Sequence, residues 1–116
     1  MPPAPGQIVT FVFPQTNLAQ TKLRPALLIT QLPGPHGDWL ACMISSQLHH
    51  ALPGFDEILS PQSADFAPSG LRVSSVIRIT RLAVVAESIL IGALGAIAPD
   101  RHRWICQRLS DWLRPR

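Results

Sequence analysis

The sequence predicts a mainly β protein with one C-terminal α-helix, arranged as a small antiparallel barrel that the helix caps. Three observations support this fold class. Twelve prolines and seven glycines in 116 residues interrupt the chain often, which favours short strands and turns over long helices. Segments rich in β-branched residues recur over roughly the first 95 positions. Only the last segment has apolar residues at helical spacing.

The composition is that of one folded domain, since 47% of the residues are apolar and only 15% are charged. Residues 1–5 are expected to form a flexible lead-in to this domain. The net charge is +3, and nine of the ten basic residues are arginines, which suit bidentate phosphate contacts and so favour a nucleic-acid partner. The start lacks a signal-peptide pattern, and Glu87 interrupts the most hydrophobic window, 82–98. We therefore expect a cytoplasmic protein without a membrane span.

Three strands are predicted in the first half of the chain, because these segments are β-branched, aromatic or apolar. They are Gln7–Phe13, Ala26–Gln31 and Trp39–Ser46. Gln15–Leu23 is predicted to be a polar loop. Pro25 cannot donate a hydrogen bond to a neighbouring strand, so the second strand is predicted to begin only after Arg24. Residues 33–38 are rich in proline and glycine and predict a turn.

The second half is predicted to contain a short strand and a longer β segment. The short strand is Asp56–Leu59, with loops at Gln47–Phe55 and Ser60–Gly70 on either side. Leu71–Val85 is β-branched throughout, which suits either one long bent strand or two strands that meet near Thr80. Gly92–Gly95 is predicted to be a turn before the last element.

The last element is predicted to be a helix that begins at Pro99 and stops before Pro115. Proline is favoured at a first helical position, and Asp100 suits the positive end of the helix dipole. Five apolar residues are expected to share one face of this helix: Trp104, Ile105, Leu109, Trp112 and Leu113.

Several polar side chains lie at predicted strand ends, where the backbone holds them in place. Lys22 and Arg24 come at a junction between loop and strand, and Ser45-Ser46-Gln47 closes an apolar strand. Ser74-Ser75 lies within a β segment, so one of the two serines must face the opposite side from the other. Such hydroxyls and cations can contact a phosphate, but a solvated basic pair and capping serines are the commoner explanation of these residues alone.

The histidines, carboxylates and cysteines show no arrangement typical of a metal site. His49-His50 could in principle act as a general base and acid, but sequence neighbours usually point apart, so we expect both to be surface histidines. The seven carboxylates are scattered, which disfavours a two-metal nuclease. Cys42 and Cys106 lie in apolar segments and are expected to be reduced core residues.

The order of several motifs resembles that of the MazF/PemK toxins of type II toxin–antitoxin systems, over about residues 6 to 113. The residues that carry the resemblance are Gly6-Gln7-Ile8-Val9, Arg24-Pro25-Ala26-Leu27-Leu28, Ile44-Ser45-Ser46-Gln47, Gly70-Leu71 with Ser75-Val76-Ile77-Arg78, and Ile91-Gly92-Ala93-Leu94. The Arg-Pro-Ala segment is the strongest match, because it resembles the signature at the start of the family's second strand.

The resemblance implies an SH3-like barrel that forms a homodimer, and an endoribonuclease that cuts single-stranded RNA with no metal or other cofactor. The products would be a 2′,3′-cyclic phosphate and a 5′-hydroxyl. The family's essential arginine falls on Arg24 and its essential threonine on Ser45. Lys22 is then expected to contact phosphate and Gln47 to contact a base, with Ser46 and Ser75 as further RNA-binding residues. A cognate antitoxin is expected to place acidic residues in the RNA groove.

Two departures from the family pattern bear on this interpretation. Ser45 keeps the hydroxyl of the usual threonine but lacks the methyl group that restricts its rotamer. Gln7 replaces a common acidic residue. The family makes no use of residues at the positions of His49 and His50.

Two other interpretations remain open on the sequence alone. CcdB-type toxins share the barrel but poison DNA gyrase through protein contacts, for which residues 112–116 would be the candidates here. An inactive, regulatory remnant of a toxin is the other alternative.

Overall fold

A computed structural model describes residues 2–14 and 21–115, without the side chains of residues 13, 14, 21 and 22. It contains six strands and two α-helices. The elements in chain order are β1 (Gln7–Pro14), β2 (Thr21–Gln31), β3 (Asp38–Ser45), β4 (Glu57–Leu59), α1 (Phe66–Ser69), β5 (Ser75–Ala86), β6 (Gly92–Ala96) and α2 (Pro99–Leu113). One 3-10 turn, Leu48–His50, precedes β4, and a second, Glu87–Ile89, precedes β6. This confirms a mainly β protein with a C-terminal helix.

The strands form one antiparallel sheet in the order β4-β5-β3-β2-β1-β6, which curls into a half-barrel. Because successive side chains of a strand point to opposite faces, the central strands fill two apolar clusters. Leu27 and Ile29 of β2 pack in the cluster that α2 covers, whereas Ala26 and Leu28 pack with Trp39 on the other face. The middle of the sheet is therefore buried on both sides.

The second strand begins earlier than the sequence predicts, at Thr21 rather than after Arg24. Pro25 lies inside the strand and pairs with Thr10 of β1. The pairing of β2 with β3 starts only at Ala26, opposite Met43, so at Pro25 the described part of the sheet continues on one side only. A residue without an N–H group is tolerated at such an edge. The predicted loop is wrong from residue 21 onward, and residues 15–20 lie outside the described residues.

The long β segment predicted at Leu71–Val85 forms one bent strand rather than two strands, which is one of the two predicted arrangements. Its pairing with β3 passes from Met43↔Arg78 directly to Cys42↔Leu82. Residues 79–81 therefore bulge out of the register, which bends β5 at the predicted position. Asp56 supports the bend, because its carboxylate accepts hydrogen bonds from the N–H groups of Ile79 and Leu52, each at 2.9 Å. The strand starts only at Ser75, so residues 71–74 were wrongly assigned to it.

Two predicted loop segments contain regular structure. The predicted turn at Gly92–Gly95 is instead the edge strand β6, which pairs with β1. Gly95 serves close packing rather than a turn, since a Cβ there would lie 2.0 Å from the carbonyl oxygen of Pro68. The predicted loop Ser60–Gly70 contains the single helical turn α1, which packs on β6.

The terminal helix matches the prediction, with Pro99 in its first turn. Its buried face is narrower than predicted. Ile105 and Leu109 are buried, but Trp104 is 61% exposed, Trp112 56% and Leu113 70%. Trp104 lies on the helix surface, and its ring centre is 5.5 Å from the guanidinium of Arg108. The long side chains of Arg101 and Arg108 occupy the inner face instead of the tryptophans.

Both cysteines are free, as predicted. Cys42 is fully buried in the cluster under α2, and burial raises the pKa of its thiol to about 12. Cys106 of α2 is half-buried against the same cluster.

Candidate nucleic-acid interface

A groove of about 260 Å³ opens where β2 begins and β3 ends. Its walls combine three segments of the chain that are far apart in sequence. The lining residues are Leu23, Arg24, Pro25, Ile44, Ser45, Ser46, Gln47, His50, Leu71, Arg72, Val73 and Ser75. The groove therefore brings together five of the six residues that the sequence predicted to bind or cleave RNA. The sixth is Lys22, whose side chain lies outside the described residues.

Arg24 lies on β2, where its backbone is paired with Phe11 of β1. Its side chain is half-buried, and its Nε is buried with no hydrogen-bond partner among the described residues. A buried donor without an acceptor is costly, so an anion that enters the groove would relieve this cost. Arg24 therefore lines the groove with a donor that lacks an acceptor in the described part of the chain.

Ser45 is the last residue of β3, and its hydroxyl contacts two groups of the following turn. The N–H of Gln47 donates to Ser45 Oγ at 3.0 Å, and His50 Nδ1 lies 3.0 Å from the same oxygen. The position of the serine hydroxyl is therefore determined by the turn that follows the strand.

His50 is a residue of this groove that the sequence interpretation did not include. It is exposed, as predicted for a surface histidine, but the 3-10 turn Leu48–His50 folds its ring back onto Ser45. Partial removal from water lowers the pKa of His50, and the positive charges of Arg78, His49 and Arg81 lower it further. The sequence singled out the pair His49-His50 as possible acid and base, but the contact with Ser45, five residues earlier, depends on the turn and could not be predicted.

Arg78 supplies a second guanidinium near this site. It lies on β5 opposite Met43, two positions along the register from the pair Ser45↔Val76. Its Nε is buried and, like that of Arg24, has no hydrogen-bond partner in the described part of the chain. Arg81 follows at the bend of β5, and Arg72 lines the groove. The surroundings of the groove are therefore strongly cationic.

The remaining predicted residues differ in what they offer a ligand. Ser46 and Gln47 are exposed at the groove, where their side chains are accessible. Ser75 also lines the groove but is buried, and its hydroxyl donates to the carbonyl oxygen of Val73 at 2.9 Å. Ser74, its neighbour, is half-buried.

Two further observations concern metal-ligating side chains and helix length over residues 2–14 and 21–115. No group of three or more histidine, cysteine, aspartate or glutamate side chains there could hold a metal ion. No helix within these ranges is both long and apolar enough to cross a bilayer. The side chains that line the groove offer guanidinium groups, hydroxyls, an amide and an imidazole.

Comparison with known proteins supports one family. No curated relative matches the chain. The family model described as the PemK-like, MazF-like toxin of type II toxin–antitoxin systems matches residues 4–113. This range includes all six strands, both helices and the whole groove. The chain therefore belongs to the PemK-like, MazF-like family of toxins of type II toxin–antitoxin systems.

Proposed function

We propose that this toxin is an endoribonuclease that cuts single-stranded RNA in the cytoplasm without a metal or other cofactor. The observation that carries the proposal is the groove, which is lined by Arg24, whose buried Nε has no hydrogen-bond partner among the described residues, and by the ordered hydroxyl of Ser45. A cation and a hydroxyl donor are the groups needed to stabilise a pentacoordinate phosphorus.

The reaction is an internal transesterification. The ribose 2′-oxygen attacks the adjacent phosphorus and loses its proton, while the bond from phosphorus to the 5′-oxygen breaks and that oxygen gains a proton. The products are a 2′,3′-cyclic phosphate and a 5′-hydroxyl. Arg24 neutralises the negative charge that develops on the phosphorane, and the hydroxyl of Ser45 donates to a nonbridging oxygen. The RNA supplies its own nucleophile.

The RNA strand extends from this centre along the groove. Ser46 and Gln47 are exposed beside Ser45 and contact the neighbouring nucleotides, with Gln47 at a base edge. Lys22 contacts a phosphate, and Ser75 shapes the floor. A single strand fits this arrangement because its unstacked bases are free to turn toward side chains.

Type II toxins act with a cognate antitoxin, which is the partner that family membership implies. We propose that an acidic segment of the antitoxin enters the groove and neutralises Arg24, Arg72 and Arg78, which would exclude RNA. We also propose that the toxin forms a homodimer.

The test of this proposal compares the wild-type protein with Arg24→Ala on a long single-stranded RNA in the presence of EDTA. We expect the wild type to cut the RNA and leave cyclic phosphate ends, and Arg24→Ala to be slower by about 10²-fold or more, because one transition-state charge contact is lost. Arg103→Ala is the matched control. It removes the same charge from an exposed position on α2, where Arg103 is paired with Asp100.

Equal losses in Arg24→Ala and Arg103→Ala would indicate a general charge effect and would contradict the assignment of Arg24. No cleavage by folded wild-type protein that still arrests growth would contradict the ribonuclease. It would favour the gyrase-type toxin, for which changes in residues 112–116 would abolish toxicity. No cleavage and no growth arrest would favour the regulatory remnant.

A further inference from the structure

The contact between His50 and Ser45 gives the serine hydroxyl two alternative orientations. A serine oxygen carries one hydrogen and two lone pairs. The N–H of Gln47 donates to one lone pair of Ser45 Oγ at 3.0 Å. The second lone pair and the hydrogen remain, and they are shared between His50 Nδ1 and the groove.

The protonation state and the tautomer of the His50 ring together determine how they are shared, because a neutral ring with its hydrogen on Nδ1 also donates to Ser45 Oγ. A neutral ring with its hydrogen on Nε2 accepts the Ser45 hydrogen at Nδ1, and the serine then presents a lone pair to the groove, which repels a phosphate oxygen. A protonated ring carries a hydrogen on Nδ1 and donates it to Ser45 Oγ. The serine hydrogen is then free to point into the groove and to donate to a phosphate.

Partial removal from water and the charged groups around His50 both favour the neutral ring. Arg78 and Arg81 of β5 act on it from one side, and the His49 ring makes an edge contact with centroids 4.5 Å apart. All of these groups are cationic or become so on protonation, and they oppose a positive charge on His50. A bound phosphate has the opposite sign and would favour the protonated ring.

We propose that His50 is a positioning residue that couples phosphate binding in the groove to the uptake of one proton, and so turns the Ser45 hydroxyl toward the phosphate. The inference rests on the proposed function for the source of that phosphate, a single strand of RNA. By linkage, a proton taken up on binding makes binding tighter as the pH falls, by at most about tenfold per pH unit for one group.

The first experiment uses sulfate as the anion, because sulfate does not titrate in the relevant pH range, and it does not depend on ribonuclease activity. The pKa of each histidine is measured by NMR in the wild-type protein with sulfate, and with chloride at the same ionic strength. We expect sulfate to raise the pKa of His50 by about 0.5 unit or more. His36, which is exposed in the turn between β2 and β3, is the internal control and is expected to be unchanged. An unchanged His50 would overturn the inference, whether sulfate fails to bind or binds without proton uptake.

The second experiment separates positioning from simple loss of a side chain. In His50→Asn the side-chain amide nitrogen is attached where Nδ1 is in histidine, so it can donate to Ser45 Oγ but does not titrate. We expect His50→Asn to retain most of the cleavage rate, and His50→Ala to be slower by about tenfold, because the hydroxyl is no longer held. The control variant His36→Ala is expected to cut RNA at the wild-type rate.

The pH profile gives the decisive readout. The ratio of the wild-type rate to the His50→Asn rate is measured from about pH 5 to pH 8, the range in which histidine titrates. Taking this ratio cancels the general effect of hydroxide on RNA. We expect the ratio to fall as the pH rises through the pKa of the bound His50, and a constant ratio would overturn the inference. Failure of the proposed function would look different, since the wild type would then not cut RNA at any pH, while the sulfate titration would still test His50.

Discussion

Two glycines of this protein lie where one added carbon would collide with backbone. A Cβ on Gly95 would lie 2.0 Å from the carbonyl oxygen of Pro68, and a Cβ on Gly70 would lie 2.1 Å from that of Leu94. Gly70 also has a φ of +76°, a conformation in which only glycine is unstrained. The single turn of α1 and the edge strand β6 therefore pack backbone against backbone, and the residue type at both positions is set by that approach.

We expect Gly95→Ala to destabilise the fold by about 3 kcal/mol, because backbone must move apart to admit the methyl group. Gly92→Ala is the matched control on the same strand. The nearest atom to its Cβ would be Thr10 Oγ1 at 3.9 Å, an ordinary contact, so its effect should stay within about 1 kcal/mol. Urea denaturation of the two variants measures both values. Equal stabilities would contradict the close packing of α1 on β6.

At the scale of elements, a network of ion pairs joins α2 to the rest of the fold. Arg101 donates to Glu57 of β4 at 2.8 Å and to Asp65, the residue before α1, at 2.8 Å. Arg108, two turns further along the helix, donates to Glu57 and to the carbonyl oxygen of Phe55. Asp65 also accepts the N–H of Ala98, the residue that precedes the helix. This network determines which side of α2 faces the sheet.

We expect Asp65→Asn to lower the free energy of unfolding by about 2 kcal/mol at pH 7, because the largely buried guanidinium of Arg101 loses one of its two charged partners. Burial alone would raise the pKa of Asp65, but hydrogen bonds from Arg101 and Ala98 and the charge of Arg101 outweigh it and lower the pKa. The stabilisation is therefore complete above the unfolded pKa of about 3.9 and is lost as the pH falls through the lower folded pKa.

Urea titrations of the wild type and Asp65→Asn at pH values from about 7 down to 3 test this sign. The difference between the two proteins should shrink only at the acid end. Asp111→Asn, on the exposed surface of the same helix, should differ from the wild type by less than about 0.5 kcal/mol throughout. A difference for Asp65→Asn that grows toward acid pH would contradict the pairing with Arg101.

At the scale of the whole molecule, the sheet buries its centre but leaves large apolar side chains in water. Leu82 and Val84, which are two positions apart on β5, are exposed to solvent. Ile91, just before β6, is exposed as well. Apolar surface of this kind is typical of an interface between proteins. The exposure of these apolar side chains agrees with the proposed homodimer.

We therefore expect sedimentation equilibrium at micromolar concentration to give about twice the chain mass of 12.7 kDa. The driving force would be burial of these apolar side chains, so the mass should respond little to added salt. A mass equal to one chain across the accessible concentration range would contradict the homodimer and would leave this surface for the antitoxin.

Local chemistry in the sequence was enough to predict most of the elements, whereas the two proposed catalytic residues were assigned from the family resemblance. Pro99 and the spacing of Ile105 and Leu109 predict α2, because helix initiation and periodicity are properties of neighbouring residues. Arg24 and Ser45 were assigned to strand ends from their flanking residues and the family pattern, and the structure places both in the groove.

Other features were decided only by the tertiary structure, because they depend on residues far apart in the chain. Gly95 predicts a turn by its local chemistry, yet it lies in a strand because β6 pairs with β1, and a side chain is excluded there because the backbone of Pro68 in α1 approaches it. Trp104 shares the helical spacing of Ile105 but faces solvent, since the inner face is occupied by arginines whose carboxylate partners lie on β4 and beside α1. The contact of His50 with Ser45 and the cationic surroundings from Arg78 likewise arise where β3, the turn after it and the bend of β5 meet. Sequence pattern determines most of the strands and the terminal helix, whereas long-range packing determines the remaining elements and which side chains meet in the groove.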